Sequence, residues 1–270
     1  MVTSPHWADA ARALQETPVP DWVQIGLHLT LTDQPAASQS PVLAPEGRYL
    51  GLGELTRALH FRKASREEID DHLNRQWNAF TRDFGRLPKF IDGHHHVHQL
   101  PVVRDAILDF AASIPRAERP WIRTCWEAPG RLISRRVTPL KALFVGWYGR
   151  ALRRQCRARG IATNLGFAGV YDFSSKDAVS SLMDRFLRNA VDGTVIMCHP
   201  GFIDDQLREA DSLVEPRRSE YDYLMSDAFR DLLNVAEITL QATSFFAEHS
   251  STALTRRGEY ETHTHSSSRS

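Results

Sequence analysis

The sequence predicts an α/β fold with a mainly parallel sheet. Two observations predict it. Strand-like apolar stretches alternate with amphipathic helical stretches over the whole chain, and three separate strand candidates carry His28, His94 and His199 near their carboxyl ends. Those ends are where barrel active sites lie. With 270 residues, 42% hydrophobic and 24% charged, the chain can bury a sizeable core, and α/β barrels use this length as a single domain. One domain over residues 1–248 is therefore expected.

Ser4 and Pro5 read as an N-cap and first helical position, with Trp7, Ala8, Ala11 and Leu14 following at helical spacing. Val23, Ile25, Leu27 and Leu29 alternate with Gln24, Gly26, His28 and Thr30, a strand with one apolar face. Residues 32–52 are rich in proline and glycine without a period and read as a loop. The capping box at 65–68 opens a helix whose inward face is Ile69, Leu73, Trp77, Phe80 and Phe84, and Gly85 stops it.

Residues 89–92 form a short strand running into the histidines, and Pro101 opens another helix. Residues 121–126 read as a strand, 140–159 as a helix weakened by Gly146 and Gly149, and 176–190 as a helix. Residues 194–198 form a continuous apolar strand ending at His199-Pro200-Gly201. A helix over 226–234 and a last strand over 237–242 follow. The stretch 249–270 is polar, Ser- and Thr-rich and aperiodic, and is expected to be a disordered tail.

Lys plus Arg and Asp plus Glu both total 33, so no global field steers the chain to nucleic acid or an anionic membrane, and a small neutral substrate fits best. The basic run over 131–159 reads as a solvated helix face. Cys125, Cys156 and Cys198 are odd in number and form no C-x-x-C pair, which favours a reduced, cytoplasmic setting. No apolar run reaches the ~20 residues of a membrane span, and the first residues lack a signal-peptide pattern. A homodimer is a common state for such a protein.

The run Asp92-Gly93-His94-His95-His96-Val97-His98 places four imidazoles in five positions, and in an extended segment His94, His96 and His98 would share one face. Neutral imidazole is the commonest protein ligand for borderline divalent metals. His28 lies on a polar strand face beside Gly26, which admits close approach of another group. His199 is held at the sheet rim by the following Pro-Gly turn, as a general acid requires, and Asp204 or Asp205 either orients it or stays solvated. Arg217 either contacts substrate or pairs with Glu220.

The segments Gly26-Leu27-His28-Leu29-Thr30, Asp92-Gly93-His94-His95-His96-Val97-His98 and Cys198-His199-Pro200-Gly201-Phe202 resemble, in order and spacing, the YdjC-like carbohydrate deacetylases. That family includes chitooligosaccharide deacetylases and members associated with hopanoid biosynthesis. The resemblance covers about residues 2–226, with further support from Pro216, Arg217 and Glu220. It implies a distorted (β/α) barrel that removes acetyl groups from an N-acetylated sugar or oligosaccharide with one divalent ion, Mg2+ usually and Zn2+ in some cases. Carried over by position, His28 and His94 are the metal ligands and His199 the active-site histidine. His96 and His98 then support the ligands, as does Asp92, which is expected to orient His28 or His94.

Members of the family begin with a strand ending in an Asn-Ala-Asp-Asp-Phe-Gly-like motif, whose aspartates supply a third metal ligand and the general base. No such motif stands in this sequence. The expectation is a barrel lacking its first strand-helix unit, about 30 residues, with the true start upstream. A catalytically impaired metal- or sugar-binding member is the alternative. The implied chemistry is metal-assisted amide hydrolysis, with proton removal by a carboxylate and protonation of the leaving amine by an imidazole. A metal-dependent phosphohydrolase is a rival reading, although it would demand more ligating aspartates and phosphate-binding groups than the sequence offers.

Overall fold

The computed structural model describes residues 1–173, 177–211 and 213–242. In chain order the helices are α1 (Trp7–Glu16), α2 (Leu52–His60), α3 (Arg66–Phe84), α4 (Pro101–Ser113), α5 (Pro129–Arg135), α6 (Pro139–Ala158), α7 (Val179–Leu187), α8 (Asp205–Ala210), α9 (Glu215–Leu224) and α10 (Asp227–Val235). The strands are β1 (Leu27–Leu29), β2 (Phe90–Gly93), β3 (Trp121–Ile122), β4 (Gly166–Ala168) and β5 (Thr194–Ile196), and a 3-10 segment spans His94–Gln99. The expected tail lies outside the described residues.

All strand pairings are parallel, in the orders β1-β2-β3 and β4-β5. A single parallel bridge between Ile122 and Thr163 joins the two groups. The strands thus follow one another in chain order as an open arc. Among the described residues no ladder closes β5 onto β1, so the α/β class with parallel strands holds and a closed barrel does not form.

The main core gathers Leu27, Leu29 and Ile91 from the sheet against Ile69, Leu73 and Phe80 of α3 and Ile107 of α4. α3 is shaped as its sequence demands. Ser65 Oγ accepts from Glu68 N, the Glu68 carboxylate accepts from Ser65 N, and Gly85 ends the helix in the left-handed conformation at φ 73°. The 32–52 loop is pinned to α3 by buried side chains: Tyr49 Oη and His72 Nδ1 are 2.9 Å apart, and Gln76 bonds the backbone of Thr30 in both directions.

Several elements differ from expectation. The first helix starts at Trp7 rather than after Ser4, with Trp7 stacked on Phe80. The strand expected over 23–30 pairs only at Leu27–Leu29, where the short β2 is its ladder partner among the described residues. The expected strand over 121–126 pairs regularly only at Trp121–Ile122. Beyond it, Arg123 N bonds Ile91 O, Thr124 N donates to the Asn164 side chain and Cys125 N to the Gln99 side chain. Asn164 also donates to Thr124 O and Gly166 O, splicing the gap between β3 and β4. Residues 237–242 form no strand: Glu237 turns at positive φ and Ile238 N bonds back to Leu233 O of α10.

α6 packs by its glycines. A Cβ on Gly149 would sit 2.6 Å from Trp126 N and 2.8 Å from the Cys125 carbonyl carbon, so the helix lies directly on the chain leaving β3. Gly149→Ala should therefore destabilise the protein by about 1–3 kcal/mol through overpacking. Gly130→Ala, in the first turn of α5 with open space around it, should be neutral or stabilising by up to ~1 kcal/mol. Chemical denaturation of the two variants checks both; equal midpoints would contradict the close packing of α6.

Candidate active site

The site begins in the register of β1 on β2. Leu27 pairs with Ile91, His28 with Asp92 and Leu29 with Gly93, so successive residues alternate between a buried apolar face and a polar face. On the polar face the Phe90 ring lies over Gly26, where a Cβ would come within 2.5 Å, and tilts against Trp121 at 4.9 Å. The close approach admitted by Gly26 is thus made by a phenylalanine ring. One step further along the strands lie His28, Asp92 and Arg123.

Those three form a continuous bonded row. His28 Nδ1 and Asp92 Oδ1 are 2.7 Å apart, and Arg123 Nε donates to Asp92 Oδ2 at 2.8 Å. Burial by itself raises the Asp92 carboxyl, but neighbouring His28 and Arg123 outweigh it and hold the group well below the usual carboxylate range. An ionised Asp92 accepts a hydrogen bond from the Nδ1–H of His28, which leaves the Nε2 lone pair of that ring available. This is the arrangement by which a carboxylate orients a ligating histidine.

The four clustered histidines do not share a face. His95 and His96 adopt left-handed backbone at φ 49° and 59°; the His94 and His95 rings lie together, 3.9 Å between centroids, while His96 and His98 find other partners. His94 goes to His28, with ring centroids 5.8 Å apart. His95 Nδ1 is 3.1 Å from Thr32 Oγ1 and 3.3 Å from Asp33. His96 Nδ1 lies 3.3 Å from Arg123 Nη1. His98 is fully buried and its Nε2 bonds Arg123 O at 2.9 Å. Burial, reinforced by His95 and His28, lowers His94 to about 3, and burial beside Arg123 lowers His98 to about 3, so both rings are neutral at physiological pH.

The other wall comes from the end of β5. His199 N donates to Glu220 Oε2, and Tyr171 Oη donates to Glu220 Oε1 at 2.6 Å, so buried Glu220 of α9 fixes the backbone where His199 emerges. The ring packs edge-on to Phe173 at 5.6 Å, and its Nδ1 is buried without a partner. Burial, then Arg217 and His28, lower it to about 4, leaving it neutral. Asp204 caps α8 by accepting from Leu207 N rather than reaching His199. Arg217 pairs with Asp211 at 2.6 Å, not with Glu220, and Gly201 N bonds Arg217 O.

His28 and His199 both act through space on His94, and His28 acts on His199, with Asp211 reaching both His94 and His199. His96 and His98 instead tie the turn to Arg123. Among the described residues no group of three or more His, Cys, Asp or Glu is arranged to hold a metal ion; the rings of His28 and His94 stand edge to face, 5.8 Å between centroids. Sequence reasoning missed Arg123, Asp211 and Tyr171. The first carried a signal, a lone arginine in the stretch Trp121-Ile122-Arg123-Thr124-Cys125 otherwise free of charge.

A chitooligosaccharide deacetylase of Escherichia fergusonii is 30% identical over 210 residues, covering 76% of this chain and 71% of that protein. One of Salmonella typhi is 26% identical over 240 residues, 87% of this chain and 81% of that protein. A solved structure from Enterococcus faecalis V583, of a protein named for cellobiose-phosphate cleavage, superposes with a TM-score of 0.65 at 21% identity, over 90% of this chain and 84% of that one; at that identity the likeness is one of fold. The model of the YdjC-like protein family matches residues 1–235, and the chain belongs to that family.

Proposed function

We propose that the protein is a carbohydrate deacetylase that hydrolyses the N-acetyl group of a sugar or oligosaccharide. The observation that carries this reading is the His28–Asp92 bond beside His94 at the carboxyl end of parallel strands, with His199 brought in from the end of β5. The names of the relatives supply the substrate class.

The donors fit a divalent ion as two of its ligands. Both donors are imidazoles, one of them oriented by a carboxylate, and this donor type suits Zn2+ more closely than Mg2+, which prefers oxygen. When bound, such an ion supplies Lewis acidity toward the amide carbonyl. The chain's own groups do the rest. Asp92 holds His28 in one tautomer and orientation. His199, neutral and desolvated, accepts a proton as water adds to the carbonyl and returns it to the departing amine. Arg123 keeps Asp92 ionised, while Glu220 and Tyr171 fix where His199 stands.

His28→Ala and His94→Ala should each abolish stoichiometric zinc binding in calorimetric titration, while Asp92→Asn should weaken it by roughly 10–100-fold; undiminished binding in all three would remove the pair from the metal site. Acetate release from N-acetylglucosamine oligomers should fall by about 10²–10⁴-fold in His199→Ala with zinc affinity retained, the signature of a lost proton carrier. Metal and sugar binding without acetate release by the unsubstituted chain would instead make this a binding member of the family. Arg123→Met should cost about 3–5 kcal/mol of stability by stranding Asp92, whereas Arg123→Lys should recover part of it; identical denaturation midpoints for wild type and Arg123→Met would refute the role given to Arg123.

A further inference from the structure

α6 is inverted relative to an ordinary amphipathic helix. Over its first half the inward face is small, with Ala142, Gly146 and Gly149 buried against the chain beyond β3 before Leu152 and Cys156 enter the core, and the outward face carries large apolar side chains. Leu140, Phe144 and Trp147 are 82%, 67% and 72% exposed, and Leu143 lies beside them at the same helical spacing. The same outward face continues over the next turns as Arg150, Arg154 and Arg157. The basic run lies on an exposed helix face, as expected, but that face is apolar over its first turns.

The charge around this stripe is one-sided. Residues 128–171 contain nine Lys and Arg and no Asp or Glu, in a chain whose formal net charge is +0. Arg131 and Arg135 pair with Glu127, and Arg159 pairs with Asp109. Among the described residues the other six make no ion pair with a carboxylate. A second copy meeting this face about a two-fold axis would set basic charge against basic charge. Nucleic acid would meet the arginines but leave the leucine, phenylalanine and tryptophan unburied. A bilayer with anionic headgroups accepts both parts, since aromatic and aliphatic side chains enter the interface while arginines lie at headgroup level.

We propose that the outward face of α6, from Leu140 to Arg157, docks the protein on an anionic membrane surface as a peripheral, non-spanning contact. Among the described residues no helix is long and apolar enough to cross a membrane, which agrees with lying on the surface. The face adjoins the site: Lys141 Nζ at its edge stands 5.1 Å over the Phe173 ring, which in turn packs against His199.

Co-sedimentation of the full chain with vesicles tests this. Binding to phosphatidylglycerol-containing vesicles should exceed binding to pure phosphatidylcholine by at least roughly tenfold and weaken as salt is raised. The triple variant Leu140→Ser, Phe144→Ser, Trp147→Ser should lose at least roughly tenfold of that binding while keeping its circular dichroism and melting temperature. Arg150→Gln with Arg154→Gln should flatten the lipid preference. No binding to either vesicle overturns the proposal. So does a dimer in solution that the triple variant dissolves, which would make a second copy the occupant, or retention on heparin without vesicle binding, which would make it a soluble polyanion.

Discussion

The buried carboxylate of Asp92 is the group on which the rest of the site depends. It stands on the middle strand of three, bonded on one side to His28 of β1 and on the other to Arg123 beyond β3. An unpaired charge at that depth would cost several kcal/mol; two flanking partners offset it, and the price is a fixed register. Because side chains alternate along a strand, a slip of one residue would set His28 opposite Ile91 or Gly93 and turn Leu27 and Leu29 toward the polar face. Packing of the leucines against α3 and pairing of the carboxylate therefore select the same alignment.

Arg123 carries more than the neutralising charge. Its side chain is 4% exposed and its guanidinium meets Asp92, His96, Gly93 O and the Phe167 ring, while its backbone carbonyl receives His98. The turn bearing the histidines is thus tied to β3 at both the side chain and the main chain of one residue. Those contacts hold His95 and His96 in left-handed backbone, which costs about 1–2 kcal/mol per residue. Within the cluster His95, His96 and His98 each have a polar partner of their own, while the His94 ring lies on His95 and meets the ring of His28.

What the sequence made legible follows from how local the cause is. The capping box, the Gly85 stop and the apolar face of α3 act within a few residues, and all three appear where periodicity puts them. His28 and Asp92 become neighbours only through register, which the alternation of apolar residues encodes on each strand. The contact of Glu220 with Tyr171 and His199 joins three segments far apart in the chain, and no local pattern marks it. Asn164 was equally invisible, since a side chain that substitutes for ladder hydrogen bonds looks in sequence like any loop asparagine. The segment 237–242 has strand character but no neighbouring strand to receive it, and pairing partners, not propensity, decide whether a strand forms.

The inward face of α6 is dictated by the site. Gln99 accepts from Cys125 N, Cys125 lies against Arg123, and the chain at Cys125 and Trp126 leaves no room for a Cβ at Gly149. Small residues on that side of the helix are a packing requirement. Nothing comparable constrains the outward side, where lysine or glutamate would fold equally well and be hydrated at no cost. Leucine, phenylalanine and tryptophan there leave apolar surface in water that burial would stabilise by roughly 25 cal/mol per Å². Packing among the described residues does not recover that free energy, because no other described element covers those side chains. Contact with an apolar surface would recover it, and the arginines on the following turns set the charge that such a surface must carry.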